Sequence, residues 1–78
     1  EHPSLKLYPN PSSGRLLIKA NKASEIAIYS MSGQLVLQLS LDAKTNFEEQ
    51  IQDLAEGIYS VKQSTEDGLF QQKLIIQK

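Results

Sequence analysis

The sequence lacks several residues on which chemical function commonly depends. It has no cysteine, no tryptophan and a single histidine, His2. Without thiols it can form neither a disulfide framework nor a zinc site of the cysteine type. A Ser-His-Asp arrangement would depend on His2 alone, and the acidic residues do not follow the spacing of an EF-hand calcium loop. We therefore predict no enzymatic activity, no metal site and no cofactor.

Long apolar runs and strong net charge are also missing. No apolar stretch approaches the ~18 residues that a membrane span requires, and the formal charge is −1 with no evident basic face. These features argue against a membrane span and against nucleic-acid binding. The opening Glu1–Ser4 has no feature of a signal peptide. We expect residues 1–78 to be a single domain excised from a larger polypeptide.

What the sequence does contain is alternation of apolar and polar residues with a period of two. The runs are LKLY, RLLIKA, EIAIYS, QLVLQLSL, GIYSVKQS and LFQQKLIIQ. This pattern is typical of strands that are half-buried in an antiparallel sheet. The fourth run is the most regular, and one face of its strand is predicted to carry Leu35, Leu37, Leu39 and Leu41.

Short glycine-containing segments separate these runs. They are Ser12-Ser13-Gly14, Met31-Ser32-Gly33 and Asp67-Gly68. Asp-Gly between two strand-like runs predicts a hairpin with a type I′ turn, whose two central residues need positive φ. Short strands at intervals of about 8–12 residues indicate a β-sandwich or a small barrel.

One segment, NFEEQIQDLAEG, permits two predictions. Its apolar residues from Phe47 to Ala55 have helical spacing, with Asn46 at an N-cap position and Gly57 where a helix would end. The pattern alone predicts a helix over Phe47–Glu56. A strand followed by a turn is the alternative, which the pattern leaves open.

Four motifs in order connect these observations: LYPNPSSGRLLI, IAIYSMSGQLV, IQDLAEGIYSV and KLIIQK. Together they resemble the type A C-terminal sorting domain of the type IX (Por) secretion system of Bacteroidetes. The resemblance covers residues 5–78. The residues that match the family's pattern are Tyr8, Pro9, Asn10, Pro11, Gly14, Gly33, Leu54, Gly57, Tyr59, Lys73 and Lys78.

The resemblance implies a seven-stranded antiparallel immunoglobulin-like β-sandwich, in which residues 46–51 form a strand and Asp53–Glu56 a turn. It also implies a non-catalytic export signal that directs its parent protein through the type IX system across the outer membrane. The implied partners are the outer-membrane translocon, a sortase-type peptidase and an N-terminal passenger domain. The implied route runs through the periplasm to the cell surface or the medium. Removal of the domain near residues 1–5 and surface attachment of the passenger often follow.

Elementary geometry gives two of these motifs a structural role. Pro9-Asn10-Pro11 is stiff, because proline fixes φ and pushes the preceding residue to extended conformations. We expect Asn10 to cap nearby backbone donors as an Asx turn at this corner. Gly57 can adopt positive φ. Tyr59 is expected to be buried, with its hydroxyl bonded to upstream backbone as in the tyrosine corner of sandwich domains.

The end of the chain differs in charge from the segment before it. Residues 48–67 hold six acids and one lysine, whereas residues 69–78 hold two lysines and no acid. Under the resemblance, we predict that the secretion machinery recognises this strand by strand pairing and charge, through Lys73, Leu74, Ile75, Ile76 and Lys78. The alternative is that the lysines only protect a sheet edge from aggregation.

Two other functions remain open at this point. A small β-sandwich also fits a carbohydrate-binding or adhesion module of a secreted enzyme. Tyr8, Tyr29 and Tyr59 would then be the candidate sugar-contacting rings. A structural spacer is the third candidate.

Overall fold

The computed structural model describes residues 5–10, 13 and 15–77. Within them, seven antiparallel strands form two sheets, with the orders β1-β2-β5 and β4-β3-β6-β7. This arrangement confirms the predicted all-β class and the predicted number of strands. The strands are β1 (Leu5–Tyr8), β2 (Leu16–Ala20), β3 (Ser24–Ser30), β4 (Leu35–Leu41), β5 (Glu48–Ile51), β6 (Gly57–Thr65) and β7 (Gly68–Ile76).

The core lies between the two sheets and is made of the inward-facing members of the alternating runs. Because successive side chains of a strand point to opposite faces, every second residue of β2, β3 and β6 is buried. The fully buried side chains include Ile18, Ile26, Ile28, Val61 and Leu74. Burying one such side chain stabilises the fold by about 1.5–3 kcal/mol.

Leu35 departs from the predicted face. The pairing of β3 with β4 shifts between Ile28 and Tyr29, so that Leu37 lies opposite Ile28 but Leu35 lies opposite Tyr29. Val36 is therefore the extra residue of a β-bulge. The bulge reverses the alternation of faces, so that the side chain of Leu35 points away from the core. Leu37, Leu39 and Leu41 face the core as predicted, whereas Leu35 is 46% exposed on the outer face.

The ambiguous segment forms a strand, β5, and not a helix. The strand begins two residues later than the predicted 46–51, because Asn46 and Phe47 adopt left-handed φ values of 58° and 60°. They follow a single 3-10 turn, Ala43–Thr45, that Asp42 caps by accepting the amide of Lys44 at 2.9 Å. Beyond the strand, residues 52–56 form an irregular loop in which Asp53 also has positive φ, 66°.

Both hairpin turns that fall among the described residues depend on a glycine. The loop Met31–Gly33 closes with a bond from the Gly33 amide to the Ser30 carbonyl at 2.9 Å, and Gly33 has a φ of 89°. The β6–β7 hairpin is also present, but its predicted type I′ turn on Asp67-Gly68 is wrong. Thr65 pairs with Gly68, so the central residues are one position earlier, and the positive φ of 134° is at Gly68 itself.

Candidate recognition site

The predicted recognition segment lies on β7, which is an edge strand of the four-stranded sheet. Leu74 and Ile76 are 0% and 1% exposed, so both side chains belong to the core. Lys73 is exposed and Ile75 is half-buried, and they point to the opposite, outer face. Lys78 lies outside the described residues. The segment therefore offers side chains to a partner at Lys73 and Ile75, while Leu74 and Ile76 hold the fold together.

The side chain of Asn10 lies against the free edge of this strand. Its carboxamide donates to the carbonyl of Lys73 at 3.0 Å and accepts from the amide of Ile75 at 3.1 Å. A planar amide that bonds to residues two apart reproduces what the backbone of a neighbouring strand would do. Asn10 thus takes the place of one residue of an added strand.

A second bond joins the same edge to the first strand. The Gln72 carboxamide donates to the carbonyl of Leu5 at 3.0 Å. The corner after β1 and β1 itself therefore both contact β7. In the folded domain, a receptor strand can pair with β7 at Lys73 and Ile75 only if the Asn10 side chain leaves. The Asn10 contact therefore blocks backbone pairing with another strand at these two residues of β7. The outward side chains of the strand remain accessible.

The remaining residues of the opening motif surround this contact. Tyr8 ends β1 and is 44% exposed, and the peptide bond between Tyr8 and Pro9 is cis. Pro11 and Gly14 lie outside the described residues. An Asx turn at Asn10 would involve the residues that follow it, so this turn stays a prediction.

The predicted tyrosine corner is confirmed. Tyr59 is 7% exposed, and its hydroxyl donates to the carbonyl of Ala55, four residues upstream, at 2.5 Å. Gly57 has a φ of 156°, a conformation that glycine adopts without the penalty of a side chain. Leu54, at the start of the motif, is buried in the core at 6% exposure. The motif therefore ties the β5–β6 loop to the entry of β6.

The three tyrosines do not form a common platform. Tyr59 is buried, Tyr8 lies on the three-stranded sheet, and Tyr29 lies on the outer face of the four-stranded sheet. The Tyr29 ring instead contacts the Lys62 ammonium, 4.9 Å from the ring centroid. The arrangement gives the sugar-binding alternative no joint aromatic surface.

The described part of the chain contains neither a metal-binding cluster nor a membrane-spanning helix. No group of three or more His, Cys, Asp or Glu side chains there is placed to hold a metal ion. No helix in it is long and apolar enough to cross a membrane.

Sequence reasoning missed the two contacts that connect the ends of the chain. Nothing near Asn10 or Gln72 in the sequence indicates a partner, because each bond spans more than sixty positions. It also missed a buried polar pair, Gln63 and Ser24, whose side chains are joined at 3.0 Å. The inward register of Gln63, two residues after Val61, was the available signal.

Comparison with known families gives one match. The sequence model of the family described as the secretion system C-terminal sorting domain matches residues 6–77. The matched part runs from β1 to the end of β7 and so includes the Asn10 contact, the tyrosine corner and Lys73. A search of curated proteins found no match.

Proposed function

Because the chain belongs to the secretion system C-terminal sorting domain family, we propose that it is a non-catalytic signal for export of its parent protein. The family indicates a sorting signal of the type IX secretion system, and its domains are in general non-catalytic. The observation that carries the proposal is the extent of the match, which includes nearly every described residue of both sheets.

The proposed route begins in the periplasm and ends at the cell surface or in the medium. The domain would follow an N-terminal passenger, engage the outer-membrane translocon, and then be the substrate of a sortase-type peptidase. Removal would occur near residues 1–5, before or within β1, with attachment of the passenger to the surface. Cleavage there would separate the passenger from the domain without cutting any other strand.

We further propose that the sandwich is immunoglobulin-like. Two packed antiparallel sheets, with three and four strands, support this assignment. The Tyr59 hydroxyl bond to upstream backbone is a second supporting feature, since such corners occur in sandwich domains of that type.

Recognition is proposed to depend on the end of the chain, with Lys73 and Lys78 supplying charge. Lys73 is exposed on the outer face, opposite Ser60. Because Leu74 and Ile76 are core residues, deleting the end of the strand would also unfold the domain. A charge reversal is the cleaner change, since exposed substitutions usually alter stability by less than ~0.5 kcal/mol.

The test is a reporter fused upstream of the chain and expressed in a host with a type IX system. The variant Lys73→Glu with Lys78→Glu should fold normally yet accumulate in the periplasm. The matched control is Lys6→Glu with Lys44→Glu, which makes the same change in net charge at two other exposed lysines. If the first variant reaches the surface at the wild-type rate, the lysines only protect the edge.

A further inference from the structure

The outer face of the four-stranded sheet carries a group of apolar side chains at one end. The group, named here the outer patch, consists of Met31, Leu35, Ile58 and Ile75. Met31 is 72% exposed, Leu35 46% and Ile58 44%. Exposed large apolar side chains are ordinary when scattered, but a contiguous group of them marks an interaction site.

Strand pairing brings these residues together from distant parts of the sequence. Ile58 lies opposite Ile75, and Ser60 beside them lies opposite Lys73 on β7 and Tyr29 on β3. Tyr29 in turn lies opposite Leu35. A shallow groove of about 500 Å³ runs between Met31, Ile58, Gln71 and Lys73, among other residues. The patch therefore combines residues of β4, β6, β7 and the β3–β4 turn, with Tyr29 of β3 between them.

The charges on this face are arranged asymmetrically. Among the outward positions of the four strands, the charged residues are Lys62, Lys73 and Glu25. Lys73 lies in the same row as Tyr29 and Leu35, and Lys62 lies one row further along, between that row and the row of Glu25. Glu25 lies four residues from Tyr29 along β3, about 13 Å away, and its carboxylate accepts from the Ser40 hydroxyl at 2.9 Å. Among the strand positions, the patch end of the face thus carries cations and no acid, while the exposed Glu56 directly precedes β6, two residues from Ile58.

We propose that the outer patch is the surface by which the folded domain binds a protein of the secretion machinery. The partner's matching surface carries apolar side chains bordered by carboxylates, which complement Lys62 and Lys73. This inference rests on the proposed function, and it specifies the kind of surface that the partner protein presents to this domain. It extends the terminal signal to a composite surface, in which Lys73 acts together with residues from β4, β6 and the β3–β4 turn.

The structure favours this surface over the edge of β7. Asn10 occupies the backbone groups at Lys73 and Ile75, and Leu74 and Ile76 are buried in the core. A partner that meets the folded domain at its last strand therefore contacts outward side chains. The neighbours of those side chains are Ile58 and Ser60. Apolar side chains are the larger part of the surface, so a protein fits it better than a polyanion, which would need more cations.

The test introduces a carboxylate into the patch and the same change elsewhere on the same face. Ile58→Glu and Met31→Glu each place a negative charge where we expect the partner's apolar side chains, next to the carboxylates that border them. Leu69→Glu is the matched control, because Leu69 is 65% exposed and points outward from β7 at the far end of the sheet. Met31 lies in a turn, so its variant tests the surface without disturbing a strand.

We measure the fraction of an upstream reporter that reaches the cell surface, and the melting temperature of each purified domain. Both patch variants should reduce surface delivery at least ten-fold, which corresponds to about 1.4 kcal/mol of binding. Leu69→Glu should stay within two-fold of wild type. Wild-type delivery by folded Ile58→Glu and Met31→Glu proteins would overturn the inference, as would an equal loss in all three variants.

Two further measurements separate this inference from its rivals. If deleting the whole chain leaves export unchanged, the proposed function itself fails. If deletion abolishes export and the patch variants do not, only the patch inference fails. Sedimentation of the wild-type domain over a range of concentrations should show a monomer. Self-association that Ile58→Glu abolishes would assign the patch to a second copy of this chain and overturn the proposal.

Discussion

The side chain of Asn10 and the backbone carbonyl of Lys73 are joined by a hydrogen bond of 3.0 Å, although 63 positions separate them. The corner that follows the first strand is therefore part of the surface formed by the last strand. Pro9 restricts the backbone before Asn10, which lowers the conformational freedom lost when its side chain docks. The opening motif acts as a cap on the terminal strand.

Asn10→Asp should destabilise the domain by about 1 kcal/mol, because the lost donor is replaced by an oxygen facing the Lys73 carbonyl. In a domain of this size, that corresponds to a decrease in melting temperature of roughly 4–8 °C. Hydrogen exchange should show the Ile75 amide exchanging faster, relative to the amide of Val61 in the sheet centre. Asn46→Asp is the matched control at an exposed turn. Equal effects of the two changes would show that the Asn10 bond contributes nothing specific.

Tyr59→Phe isolates the hydroxyl of the tyrosine corner. It removes the bond to the Ala55 carbonyl and keeps the ring, so we expect a loss of about 0.5–1.5 kcal/mol. Tyr59→Ala also removes the buried ring, and should cost about 3–5 kcal/mol of a total near 4–12 kcal/mol. Urea titrations followed by circular dichroism measure both changes. Tyr29→Phe, on the outer face, should have little effect, and a similar loss there would contradict the assignment.

Ser24→Ala tests the buried polar pair. The Ser24 hydroxyl accepts from the Gln63 carboxamide at 3.0 Å and donates to the Lys22 carbonyl at 2.9 Å. Removing the hydroxyl takes this acceptor from the Gln63 carboxamide, whose residue is only 2% exposed. We expect the free energy of unfolding to fall by about 1–3 kcal/mol. Ser40→Ala, at an exposed serine of β4, is the comparison in the same unfolding assay. The prediction fails if both serine variants unfold at the same urea concentration.

The other edge strand of the four-stranded sheet is β4. Among the described contacts, no side chain occupies its backbone groups in the way that Asn10 occupies those of β7. Residues 34–41 contain no charge and no proline, the features that usually protect an edge from pairing with other molecules. Val36→Lys should therefore reduce aggregation of concentrated protein on heating, measured by light scattering. Val36→Thr is the uncharged control at the same bulge position. Unchanged scattering by the lysine variant would mean that this edge does not drive association.

Local patterns predicted most of the fold, because the pleat of a strand produces the period of two directly. The faces of Ile26, Ile28 and Val61 follow from that period alone. The helical spacing from Phe47 to Ala55 could not decide between helix and strand, since four apolar residues in a short segment are also compatible with a strand and an irregular loop. Capping by Asp42 and the left-handed Asn46 determined where the strand began.

The proposed recognition surface was less predictable for a physical reason. The neighbours of Lys73 depend on the order of the strands, and that order places Ile58 and Met31 beside it. The bulge at Val36 places Leu35 on the same outer face as Lys73. No distinctive residue in the sequence indicates that bulge. The sequence of the last strand, taken by itself, therefore predicts that Leu74 and Ile76 contact the partner. In the fold both side chains are buried in the core.

The central claim is that this chain directs a protein already delivered to the periplasm across the outer membrane. The direct measurement is the fraction of a reporter found outside the cell when the reporter carries its own N-terminal signal peptide and the chain is fused to its C-terminus. It is compared between a host with a working type IX translocon and the same host with the translocon disabled, each also expressing the reporter without the chain. The account predicts external reporter only when chain and translocon are both present. External reporter that depends on neither, or none in the complete system with a folded domain, would contradict it.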